Sequence, residues 1–187
     1  PTVHGARAAL YGALGAALCY PTADVLADLT APEVRASLRA AGERLALAEE
    51  VAAFCEAVAA TDLQTARSAH DRLFGLPDDG SYPVVPYEAA YTTGGEGSEA
   101  QRRIATVVGL MDAFDLEPAD GFHERQDHAA AELELASVVA AKRAVAAEAD
   151  ASTEATDHLR KAERTLLETH LAGFVPAFAH DVQATAE

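Results

Sequence analysis

Apolar residues recur at helical spacing along most of this chain. Leu10, Leu14 and Leu18, with Tyr11 beside them, mark one face of a helix over residues 4–20, which Tyr20-Pro21 ends. Thr22-Ala23-Asp24 starts a short helix that runs to about Thr30. Pro32 suits the first turn of another, ending at Ala41-Gly42. Leu47, Val51, Phe54, Cys55 and Val58 keep helical spacing over residues 44–60, and Asp62 caps a further helix to Phe74. Ser98 and Gln101 form a capping box ahead of a stripe of Ile104, Val107, Val108, Leu110, Met111 and Phe114. The longest helix is expected over residues 127–149, with Asp127 as its N-cap. Another runs from Thr153 to Ala172, capped by Ser152 or Thr153, with Leu159, Leu166, Leu167 and Leu171 inward; Gly173 is placed to end it. A last short helix covers residues 174–184, with Pro176 in its first turn.

Between these elements, residues 75–97 hold Gly75, Pro77, Gly80, Pro83, Pro86, Gly94, Gly95 and Gly97, which break any long helix. So long a connection is unusual in a compact domain and is often functional. Tyr82, Tyr87 and Tyr91 give it apolar anchors, so it is expected to pack on the domain as a loop rather than link two domains. No alternating strand pattern occurs. The expected fold is all-α: one helical domain over residues 1–187, a bundle of about eight to ten helices with a long central loop.

Composition agrees. The chain has 187 residues, is Ala-rich and lacks Trp. Ala and Leu are strong helix formers, and a chain of this size buries roughly 70% of its unfolded surface without needing a disulfide or metal. Cys19 and Cys55 sit within apolar helical patterns and are expected as buried, reduced thiols. No stretch approaches the roughly 18 apolar residues of a membrane span, and the first residues lack a signal-peptide pattern. A cytoplasmic location without membrane insertion is expected. The formal charge is −16, from 30 acidic and 14 basic residues. That argues against nucleic acid, whose phosphates need a basic face. It suits a cationic partner, or a high-salt cytoplasm in which acidic surfaces keep proteins hydrated.

The densest chemistry lies in Glu124-Arg125-Gln126-Asp127-His128, followed by Glu132. His128 and Glu132 share a helical face. Such a cluster is a polar ligand site or a network that fixes a helix end. A metal-dependent hydrolase built on Asp127, His128 and Glu132 is one alternative, but the second histidine of the metalloprotease helix is missing. No catalytic Ser or Cys motif occurs, and Gly94-Gly95-Glu96-Gly97 lacks the Lys of a phosphate loop. The expected protein is not an enzyme and holds no metal or cofactor. In the central loop, Pro86-Tyr87-Glu88 and Tyr91 combine contact area, polar tips and an acid, which suits either a binding surface or an anchor. A purely structural interaction protein is the other alternative.

Four segments stand out: Arg7 to Tyr11 with Tyr20-Pro21; Leu73-Phe74 with Pro86-Tyr87-Glu88 and Tyr91; Glu124 to His128 with Glu132-Leu133; and Glu168 to Leu171 with Phe174-Val175-Pro176. Taken together, they resemble the TorD/DmsD/NarJ group of molybdenum-enzyme maturation chaperones. Gln126 stands where that group usually has proline. The resemblance implies an all-helical chaperone that binds a twin-arginine signal peptide and the apo form of a molybdopterin oxidoreductase, assists cofactor insertion and delays export. The client would be of the dimethyl sulfoxide, trimethylamine N-oxide or nitrate reductase type. It makes Tyr87, Glu88, Tyr91, Glu124, Asp127, His128 and Glu132 the expected peptide-binding residues. A homodimer, with helices exchanged across the 75–97 loop, is compatible with the same resemblance.

Overall fold

The computed structural model describes residues 1–75, 82–92, 94, 97–119, 121–149 and 151–186. It is an all-α, single-domain helical bundle, and the described residues contain no strand. In chain order the elements are α1 (Val3–Leu18), α2 (Ala23–Thr30), α3 (Pro32–Leu45), α4 (Ala48–Ala59), α5 (Leu63–Phe74), α6 (Glu88–Thr92), α7 (Gly97–Ala113), α8 (Ala129–Glu148), α9 (Thr153–Thr165), a π-helical turn (Leu166–Leu171) and α10 (Ala172–Ala186).

Local chemistry sets many of the boundaries. Thr22, Asp62 and Ser152 each accept a hydrogen bond from the backbone N–H three residues on, at 3.2, 2.7 and 3.3 Å. Pro32 opens α3. That helix runs past Gly42 to Leu45, where Ala46 turns left-handed at φ 59°. Gly42 therefore does not stop the helix. A Cβ there would lie 2.9 Å from Val51 Cβ, so the glycine lets α4 approach. Leu47 falls outside α4 and is exposed. α7 begins at Gly97, one residue ahead of the expected capping serine, and residues 95 and 96 lie outside the described set.

Gly173 is a second glycine whose role differs from expectation. It sits inside one long helical rod, α9 to α10, facing α6: a Cβ there would stand 3.4 Å from Thr92 Cγ2, an ordinary contact. Within that rod the Ala172 N–H reaches back five residues to the Leu167 carbonyl, widening the turn just ahead of Pro176, which has no N–H to give.

The core has two parts. One gathers Val84, Val107, Leu135, Val139, Leu166, Phe174 and Phe178 around α8 and the α9–α10 rod. The other gathers Ala13, Leu29, Leu38, Val51 and Cys55 from α1 to α4. Small residues let α1 lie directly on α8: a Cβ on Gly15 would stand 3.2 Å from the Ala130 carbonyl, and Ser137 donates to the Ala8 carbonyl at 2.9 Å. No helix among the described residues is long and apolar enough to cross a membrane. Because the Gly15 contact is with backbone, Gly15→Val is expected to destabilise the fold by about 2 kcal/mol, read as a lower urea midpoint.

Candidate functional site

Two segments far apart in sequence are stitched together at the start of α8. The Glu88 N–H donates to the Asp127 carbonyl at 2.9 Å, and the Ala129 N–H donates to the Pro86 carbonyl at 2.8 Å. Tyr87 and His128 thus face each other as an isolated antiparallel bridge. Asp127 is not the cap of α8. Its Oδ2 accepts from the Ala89 N–H at 3.2 Å, so it caps α6 across the stitch. The cap of α8 is His128, whose Nδ1 accepts from the Ala130 N–H at 3.1 Å. That bond puts the ring proton of neutral His128 on Nε2, and burial holds its pKa below the usual histidine value.

Behind the stitch lies a buried polar network. Glu88 is fully buried; its Oε1 accepts from Arg103 at 2.6 Å and its Oε2 from His170 Nδ1 at 2.9 Å. Arg103 also donates to the Thr169 carbonyl in the π-helical turn, at 3.0 Å. Glu132 is fully buried beside Glu88, with ligand atoms of the two carboxyl groups within 4.8 Å of one another. Burial first, and the Glu88 charge second, push its pKa up to about 9. Glu132 is therefore a neutral acid at neutral pH.

The hydrolase alternative does not assemble. His128 Nδ1 is spent on its helix and Asp127 is held by Arg125. Among the described residues, the donors close enough to share an ion are Glu88, Glu132 and His170, with ligand atoms within 4.8 Å of one another. Both oxygens of Glu88 already accept from Arg103 and His170. A cation among them would also face the Arg103 guanidinium, which opposes it.

In front of the stitch lies a cavity of about 560 Å³, walled by Tyr20, His70, Phe74, Tyr82, Tyr87 and His128, with Glu124 on its lining. The Tyr87 hydroxyl donates to the Glu124 carboxylate. Burial, then that carboxylate, raises the Tyr87 pKa. The His128 ring stands edge-on to Tyr87 and Phe122, with centroids 5.4 and 5.9 Å away. A second, apolar cavity of about 210 Å³ adjoins it, lined by Met111, Leu116, Leu135 and Val138 and sharing Cys19 and Phe122 with the first. Cys55 is buried as expected, whereas Cys19 is only half-buried on this shared wall.

The expected site residues thus separate into layers. Tyr87, Glu124 and His128 face the larger cavity, and Glu88, Asp127 and Glu132 are interior. Tyr91 belongs to α6 and pins it to α10: its hydroxyl donates to Asp181 at 3.0 Å and its ring packs against Phe174 and Phe178. Sequence reasoning missed Arg103 and His170 in the network, and Tyr20, His70, Phe74 and Phe122 on the walls. The one sequence signal for His170 is a lone histidine between Leu167 and Leu171, next to Phe174.

Residues 33–180 match the family model described as the nitrate reductase delta subunit. The chain belongs to this family. Its members are molybdoenzyme maturation chaperones rather than enzymes. The matched span runs from α3 into α10 and contains Tyr87, Glu124, Asp127, His128, Glu132 and His170. No curated protein and no solved structure matches the chain.

The neutral Glu132 has a measurable consequence. An unfolded chain loses this proton near pH 4.5, whereas the folded protein keeps it to about pH 9. The stability tied to it is whole below pH 4.5 and drains away as pH rises toward 9, by up to about 1.4 kcal/mol per pH unit. Glu132→Gln is neutral at every pH, so it should gain stability relative to wild type between pH 5 and 8 in urea titrations. A constant difference across that range would mean that Glu132 is ionised in the fold.

Proposed function

We propose that this chaperone holds the twin-arginine signal peptide of a molybdopterin oxidoreductase, and with it the apo-enzyme, while cofactor is inserted and export is delayed. The observation that carries the proposal is the cavity lined by Tyr87, His128 and Glu124, which shares Cys19 and Phe122 as wall residues with a smaller, largely apolar neighbour. A guanidinium favours a carboxylate beside an aromatic face, which Glu124 and Tyr87 provide. The apolar stretch that follows the arginines in such a signal would lie in the smaller cavity, among Met111, Leu116 and Leu135. Glu88 and Glu132 then act from behind, fixing the loop and helix that bear the binding residues.

The family match favours a nitrate-reductase-type client over a dimethyl sulfoxide or trimethylamine N-oxide reductase. The proposed setting is the cytoplasm, where the signal peptide is made. The charge of −16 suits both a cationic client segment and work at high salt. The cavity forms within one chain, so the proposal needs no dimer.

Isothermal titration with a synthetic twin-arginine signal peptide tests this. Binding is expected at the protein's working salt, weakening about tenfold in Glu124→Gln through loss of one charge-assisted contact worth roughly 1.5 kcal/mol. It should fall further when both peptide arginines become glutamine. Absence of binding at any salt, or binding indifferent to the arginines, would overturn the proposal.

A further inference from the structure

The stitch holds an arginine of the chain itself in the arrangement that a client arginine would need. Arg125 Nε donates to Asp127 Oδ1 at 2.8 Å and a terminal nitrogen donates to Oδ2 at 2.5 Å, a two-pronged pair. The same guanidinium lies over the Tyr87 ring, 4.5 Å from its centroid. The Arg125 side chain is 51% exposed, while that of Asp127 is 0% exposed. The arginine therefore covers the carboxylate: lifting it away would open Asp127 to the surface beside Tyr87 and Glu124.

We propose that Arg125 occupies, in the free protein, a guanidinium seat that an arginine of the client takes on binding. The inference rests on the signal-peptide function proposed above and goes beyond it by naming the seat, its resident occupant and an exchange. Three features suit an exchange. Arg125 and Asp127 are two residues apart in the segment before α8, so the side chain can leave without moving a helix. The Ala89 N–H stays on Asp127 and keeps the carboxylate aimed. One guanidinium replaces another, so no buried charge is left unpaired at the end of the process. The seat selects arginine over lysine, because only a planar fork can pair with both oxygens and stack on the tyrosine at once.

A resident competitor lowers the client's apparent affinity by the fraction of time the seat is empty. Removing it should raise affinity and lower the stability of the free protein, which is the opposite of what a plain binding residue does. The test titrates the twin-arginine peptide, and a twin-lysine version of it, into wild type, Arg125→Gln and Arg125→Lys, each checked for helical content. Expected is about tenfold tighter binding of the arginine peptide by Arg125→Gln, corresponding to a seat vacant about a tenth of the time, with a smaller gain for Arg125→Lys. The lysine peptide should show little gain. In wild type, the ¹⁵N-detected Arg125 Nε–H signal should move to the position of a free arginine as the arginine peptide is added. Equal or weaker binding by folded Arg125→Gln, or an unmoved Nε–H signal in the saturated complex, would overturn the exchange while leaving peptide binding intact. Failure of all three proteins to bind would overturn the signal-peptide function and the exchange with it.

Discussion

The architecture around the site depends on burying three carboxylates, Glu88, Asp127 and Glu132, none of which has exposed surface. A buried acid must be paired, capped or neutralised, because isolated charge in the interior costs several kcal/mol even after relaxation. Each is handled differently. Glu88 is paired with Arg103 and bonded to His170; Asp127 is paired with Arg125 and accepts the backbone of α6; Glu132 keeps its proton. Meeting these needs draws α6, α7, α8 and the π-helical turn to one point. That point also lies where Tyr91 fastens α6 to α10.

The consequence is a rigid back and an accessible front. The back is the Glu88–Arg103–His170 network, in which moving Arg103 away would leave the buried Glu88 carboxylate without its cation. The front is the cavity, whose walls come from α1, α2, α5, the central loop and the segment before α8. A maturation chaperone must hold its client and then release it. The proposed exchange at Arg125 suits that need, because the resident group would help a departing client leave.

The sequence made the helices legible where a helix end is a local matter. Thr22, Asp62 and Ser152 cap as expected because the group each one satisfies lies three residues away. It misled wherever a residue answers to a distant neighbour. Gly42 and Gly173 read as helix stops, but Gly42 lets α4 approach and Gly173 lies within the continuous α9–α10 rod. Asp127 reads as the cap of the helix that follows it, yet it caps one 38 residues upstream. Glu88 and His170 stand 82 residues apart, and no spacing rule joins them. The motifs around Tyr87 and Glu124 to His128 were visible as chemistry. Their division into interior and cavity-facing residues needed the fold.

The division into an interior and a cavity-facing layer is tested most directly by hydrogen–deuterium exchange of the protein with and without the twin-arginine signal peptide proposed as its ligand. New protection is expected around Tyr82 to Tyr87 and Gly121 to Glu124, which wall the cavity, with little change at α3 and α4 and at the already buried start of α8. Protection centred on α3 and α4, with the cavity segments unchanged, would contradict it.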